Sequence, residues 1–241
     1  MNTNLRILNS QIVFSYKRNS EIRKKVFEYE DTLKSEFRTP FRLTNIPEEL
    51  DPNLPRFETS SINDHSKLLV SQTRISLVTK YDKNFESDFS SVKTYLTERC
   101  NSLKGLAEKE EMEFVAFVVE LGIYMDEKVI NKFLRTHIGA NAISDECLEF
   151  SLLYSKLYEN NYYLNVKASK FTEQEIIINQ SNEIQTSGTP KKGISIILDI
   201  NSKPCFENKS GFNTSLFSDI SEKIFTLITT KRLEDYLKGQ L

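Results

Sequence analysis

The stretch from Gly193 to Leu233 constrains the fold most, because a strand pattern there passes into a helix pattern. Ile194, Ile196, Leu198 and Ile200 fall on one face of a strand. After a polar loop, Leu216, Ile220, Ile224, Leu227 and Ile228 recur at helical spacing, and the pattern runs on to Leu233. This predicts a sheet closed by a long amphipathic C-terminal helix. It is a signal of architecture and not of chemistry.

Upstream, Gln11–Tyr16 reads as a strand. Ile22, Val26, Tyr29, Leu33 and Phe37 follow as one helical stripe, ended by Pro40. Pro40, Pro47, Pro52 and Pro55 mark an ordered loop. Pro55–Thr59, Lys67–Val70 and Arg74–Thr79 read as strands, with a turn at Asn63-Asp64-His65. Phe85, Phe89, Val92, Leu96, Cys100 and Leu103 step at helical spacing towards a stop at Gly105. The segment from Glu111 to Tyr124 is apolar on both faces, as a central strand or an interface strand would be. Asp126 can cap a short helix that ends at Gly139. Cys147–Tyr158 and Tyr162–Lys167 form a hairpin about Asn160-Asn161, and Glu175–Asn179 is a further strand. Gln180–Lys192 reads as a polar loop and as the most mobile segment.

Strands cluster between helices instead of alternating with them. The expected class is therefore α+β: a largely antiparallel sheet with long amphipathic helices packed on one face, ending in a strand and a long C-terminal helix. Residues 1–241 are read as a single domain, divisible into subdomains 1–110 and 111–241. Each half ends in strands followed by a long helix, although no repeat shows in the residues themselves.

Pro55-Arg56-Phe57, Ser60, Asp64, Leu69-Val70-Ser71-Gln72, Ile75-Ser76-Leu77 and Tyr81 resemble the first half of a sporadically distributed, uncharacterised bacterial family of about this length. Leu198-Asp199-Ile200, with Phe225, Ile228, Thr229 and Leu233, resembles that family's C-terminal signature. The chain departs from the family pattern at Val78-Thr79, where the family carries Asn-Trp, and in its central strand, which lacks arginine. The resemblance implies a fold and a scattered bacterial occurrence, as of mobile or antiviral-defence genes, and no activity.

Formal net charge is -2, so no global basic field draws in nucleic acid. No leader pattern or long apolar run is present, and Cys100, Cys147 and Cys205 are unpaired in number. The chain therefore reads as cytoplasmic, with reduced thiols and no membrane partner. His65 and His137 lack companions at ligand spacing and read as surface residues, so no metal or cofactor is expected. Gly-rich phosphate loops and nucleophile elbows are absent.

Asp199, Glu207 and Lys209 match a carboxylate-and-lysine nuclease pattern, in which Mg²⁺ would be held and water activated. An outward strand residue and a polar loop explain them more simply. Tyr158, Tyr162 and Tyr163, beside Lys156 and Lys167, suggest a stacking surface for single-stranded nucleic acid, against the plainer reading of a solvated hairpin. Leu216, Ile220 and Ile224 offer an amphipathic face that would pack on the sheet or dock a partner. The residues favour a binding role over catalysis: a subunit or accessory factor whose partner is another protein or a second copy of itself.

Overall fold

The computed structural model describes residues 5–82, 85, 88–138, 147–178, 184–208 and 215–241. The chain begins with β1 (Arg6–Tyr16), a 3₁₀ turn (Ile22–Lys25) and α1 (Val26–Leu33). It continues through β2 (Arg42–Leu43), β3 (Pro55–Ser60), β4 (Ser66–Ser71), β5 (Arg74–Lys80) and α2 (Phe89–Ala107). The second half comprises β6 (Met112–Tyr124), α3 (Glu127–Ile138), β7 (Ser151–Tyr158), β8 (Tyr162–Ile178), β9 (Ile184–Asn201), α4 (Lys203–Glu207), α5 (Ser215–Thr230) and α6 (Leu233–Lys238).

Among the described residues all strands join one nine-stranded sheet in the order β2-β3-β4-β5-β1-β6-β9-β8-β7, and every pairing is antiparallel. The order reveals a repeat. Strand, helix, three strands and helix occur as β1-α1-β3-β4-β5-α2 and again as β6-α3-β7-β8-β9-α5. The two units meet head to head at β1 and β6, so the order in one half mirrors that in the other.

Period two along each strand decides which face is covered. Ile12, Phe14 and Tyr16 of β1, Val115, Phe117, Val119 and Leu121 of β6, and Ile194, Ile196, Leu198 and Ile200 of β9 are buried beneath the helices. Phe217 of α5 sits over the junction of the halves, its ring 5.8 Å from that of Phe14 and 6.3 Å from that of Phe117. No helix among the described residues is long and apolar enough to cross a membrane.

Several expectations need correction. The C-terminal helix is not one long rod: α5 stops at Thr230, and Arg232 takes an extended conformation and caps the separate short helix α6 with Asp235. Successive β-branched Thr229 and Thr230 weaken helix propagation there. Gly105 does not stop α2, because Leu106 and Ala107 beyond it are buried and hold the last turn. Gln180–Lys192 is not a loop through most of its length. Ile184–Lys192 belongs to β9 and pairs with β8, while positions 180–183 and Gly139 lie outside the described residues. The β8–β9 ladder continues beyond the ends of β6 and β7 as a two-stranded arm.

The Pro-rich loop is held by a buried arginine. Arg56 has no solvent exposure, and its guanidinium donates to Glu48 at 3.1 Å and to the carbonyls of Leu54 (2.8 Å) and Leu50 (3.2 Å). Glu48 also accepts from Gln72 at 2.6 Å and pairs with Arg23 at 2.7 Å. A loop rich in proline cannot supply many backbone donors, so one multivalent side chain satisfies its inward carbonyls instead. Burial pushes the Glu48 carboxyl up, but the hydrogen bonds from Gln72 and Arg56 and the charge of Arg23 outweigh it and hold the group below its ordinary range.

Arg56→Met is expected to destabilise the protein by roughly 3 kcal/mol in urea unfolding, because it leaves the loop carbonyls and Glu48 without their donor. Because the folded Glu48 pKa is depressed, its contribution is complete above the ordinary carboxylate value of 4.5 and is lost as pH falls through the folded value. Stability measured against pH should therefore fall less steeply on the acid side in Glu48→Gln than in the wild type.

Candidate functional site

Among the described residues, the side of the sheet opposite the long helices keeps several of its side chains partly exposed. Strand register assembles it in rows. One row runs Leu69, Ser76, Val13, Ala116, Asn201, Tyr163, Leu157 across seven strands. The next runs Lys67, Val78, Gln11, Val118, Asp199, Asn165, Ser155. A third runs Lys80, Asn9, Glu120, Ile197, Lys167, Leu153. Val13, Val78, Val118 and Ile197 are only half-buried, whereas their immediate chain neighbours on the helix face are fully buried. These four side chains give the centre of the face an apolar character.

Two carboxylates interrupt that apolar centre. Glu120 accepts from Asn9 at 2.5 Å and from Ser195 at 2.7 Å. Asp199 accepts from Asn165 at 2.9 Å and from Asn201 at 3.2 Å. Both are thus oriented by neutral donors. Three exposed lysines flank this centre: Lys67 opposite Val78, Lys80 opposite Asn9 and Lys167 opposite Ile197. The helix α4 closes one end of the face: Tyr163 donates to its Glu207 at 2.8 Å, and its Lys203 lies over the Phe114 ring at 5.0 Å. The hydroxyl of Tyr163 is pushed above its usual range by that bond to Glu207.

The structure separates most of the residues that the sequence grouped. Asp199 and Glu207 do share the open face, but each is engaged by its own neutral partner, and Lys209 lies outside the described residues. Among the described residues no three His, Cys, Asp or Glu side chains converge as a metal site would require. Tyr158, Tyr162 and Tyr163 do not form one stacking surface. Adjacent strand residues point to opposite faces, so Tyr162 is buried and donates to Asp219 while Tyr163 faces the other way. Lys156 is likewise on the helix side, bonded to the carbonyl of Leu241 at 2.6 Å, whereas Lys167 is on the open side.

The proposed docking stripe on the last helix is also spent internally. Ile220 and Ile224 have no exposure, and Leu216 packs against the same core, where α5 lies on β6 and β9. Their helical spacing recorded packing on the sheet. His65 ranges against Phe85 and Tyr95 (ring centroids 5.5 and 6.4 Å), and His137 stacks on Phe133 at 4.1 Å. Burial pushes the Cys100 thiol well up, as in an unreactive core cysteine.

Sequence reading missed the open face because its strands carry valine and isoleucine on both sides, which imitates a strand buried twice. The available signal was the interspersed Gln11, Glu120, Asp199 and Asn165, all of one parity with respect to the register. No protein-family model and no curated protein matches the chain.

Ile220→Ala and Ile224→Ala are each expected to cost about 2–5 kcal/mol in unfolding free energy, as core truncations do. Asp199→Asn should change stability by less than about 1 kcal/mol. Titration with Mg²⁺ or Mn²⁺ should leave the thermal midpoints of wild type and Asp199→Asn alike. A metal-dependent rise confined to the wild type would restore the nuclease reading.

Proposed function

We propose that this protein works by binding another macromolecule, a protein chain, across the open face of its sheet, as a non-enzymatic subunit or accessory factor of a complex. The observation that carries this reading is the pairing of an apolar centre with two carboxylates on an uncovered sheet face. A partner that buries Val13, Val78, Val118 and Ile197 gains hydrophobic free energy, roughly 25 cal/mol per Å² of apolar surface removed from water. Glu120 and Asp199 then select for a partner that brings donors or a positive charge to that centre.

The same charges disfavour nucleic acid. Phosphates laid across the middle of the face would meet Glu120 and Asp199, which offset the flanking Lys67 and Lys167. The scattered bacterial occurrence implied by the family resemblance suits a component of a defence or mobile-element system, and such components act in assemblies. Catalysis by Asp199, Glu207 and Lys209 is the lesser reading, because the first two already have neutral hydrogen-bond partners.

The test is purification at natural expression level of the wild type and of a Val118→Glu/Ile197→Glu double variant. Both substituted side chains are partly exposed on the open face, so the variant should remain folded, which its thermal unfolding checks. The expected result is a stoichiometric protein partner that accompanies the wild type and is lost from the variant. A partner retained by the variant, or a wild type that carries none, would contradict this reading.

A further inference from the structure

The two edges of the sheet are treated differently. At one end β2 is only two residues long, and its flanks carry Pro40 and Pro47 and the ion pair of Arg42 with Glu58 at 2.5 Å. Short strands, prolines and charges are how sheets discourage further pairing. At the other end β7 has eight residues, contains no proline, has a single charged residue in Lys156, and pairs without a register shift along β8. Among the described residues no strand pairs with its outer edge.

The direction of its backbone groups follows from one bond. Lys170 N–H donates to the Phe150 carbonyl at 3.2 Å, just beyond the Ser151–Ser169 pair. Backbone groups in an antiparallel ladder alternate sides, so the even-numbered residues of β7 face β8. Ser151, Leu153, Ser155 and Leu157 therefore turn both N–H and C=O outward. Their side chains share the open side of the sheet, and Leu153 and Leu157 are 69% and 55% exposed.

We infer that β7 pairs with β7 of a second copy of this chain, antiparallel and centred on Ser155, so that two sheets become one continuous sheet. An edge that associates through a twofold axis must be self-complementary, and this one is. With Ser155 opposite its own copy, Leu153 lies opposite Leu157 of the second copy, and Leu157 opposite its Leu153. All three are outward-facing residues, so each exchanges both backbone hydrogen bonds. The four leucines gather on one face as direct cross-strand pairs. On the other face Tyr154 comes opposite Lys156 of the second copy.

The neighbouring registers are worse. Centring on Tyr154 sets the leucines against serines, and centring on Lys156 sets two lysines against each other. This surface is distinct from the centre of the open face, so the inference goes beyond the proposed function. A dimer so formed holds two open faces in one assembly.

The test is the mass in solution by light scattering, combined with cysteine crosslinking. The wild type should be a dimer, and Leu153→Lys/Leu157→Lys should be a folded monomer, since both substituted side chains already face solvent. Ser155→Cys should form a covalent dimer under mild oxidation. Residues opposite one another in a hydrogen-bonded antiparallel pair lie about 5.5 Å apart between Cα atoms, within disulfide range. Ser151→Cys, which would lie opposite Glu159 of the second copy, should not crosslink beyond the wild-type background. A monomeric wild type would overturn the inference. So would a dimer that survives both lysines, or one in which Ser155→Cys fails to crosslink. Loss of the heterologous partner in Val118→Glu/Ile197→Glu with the dimer intact would separate this surface from the open face.

Discussion

The antiparallel pairing of β1 with β6 is the constraint on which the rest of the structure depends. Among the described residues it is the only ladder between the two repeated halves, running from Arg6–Gly122 to Tyr16–Met112. Without it, each half would end in a long apolar strand with an open edge, the arrangement most prone to unwanted pairing. With it, those edges vanish into the middle of the sheet, and Phe217 presses on both sides of the seam. The bulge between Ile7 and Asn9 lets Leu8 lie over Gly122, where an added Cβ would stand 2.7 Å from the leucine side chain. A side chain at that position would displace Leu8 from its place over the strand.

One-sided coverage follows from this central seam. The long helices pack on the face that carries Phe14, Phe117, Ile194, Ile196 and Ile200, and the opposite face keeps Val13, Val118, Ile197, Gln11, Glu120 and Asp199 towards solvent. An antiparallel sheet tolerates such asymmetry because each strand alternates, so a face can be apolar enough to bind and polar enough to stay dissolved. A heterologous protein would cover the centre, and a second copy would extend the edge.

Much of the fold was legible. The alternation of Ile194 to Ile200, the spacing of Val92, Leu96, Cys100 and Leu103, and the turn at Asp64, which has positive φ, all appear where the pattern places them. The hairpin after β7 appears too, though positive φ falls on Glu159 and Asn160, one residue earlier than expected. The arm in Ile184–Lys192 was hidden because Gly188 and Pro190 mimic a loop, although cross-strand pairing with Glu173–Ile178 organises it. Tertiary contact also overrode the local stop signal at Gly105, where Leu106 and Ala107 are buried. The site was less legible than the fold. Tyr162 and Tyr163 are adjacent in sequence, and the strand period divides them between opposite faces; the carboxylates Glu120 and Asp199 are far apart in sequence, and register brings them into neighbouring rows.

The claim of a single open face can be tested residue by residue with cysteine accessibility in a Cys147→Ser background, where the remaining thiols are buried. Val118→Cys and Ile197→Cys should react with a maleimide in the folded protein, while Val119→Cys and Leu198→Cys should react only on unfolding. Protection of all four positions in the isolated chain would mean that the face is covered and would contradict the account. Equal reactivity of all four would deny the helix-covered side on which the fold rests.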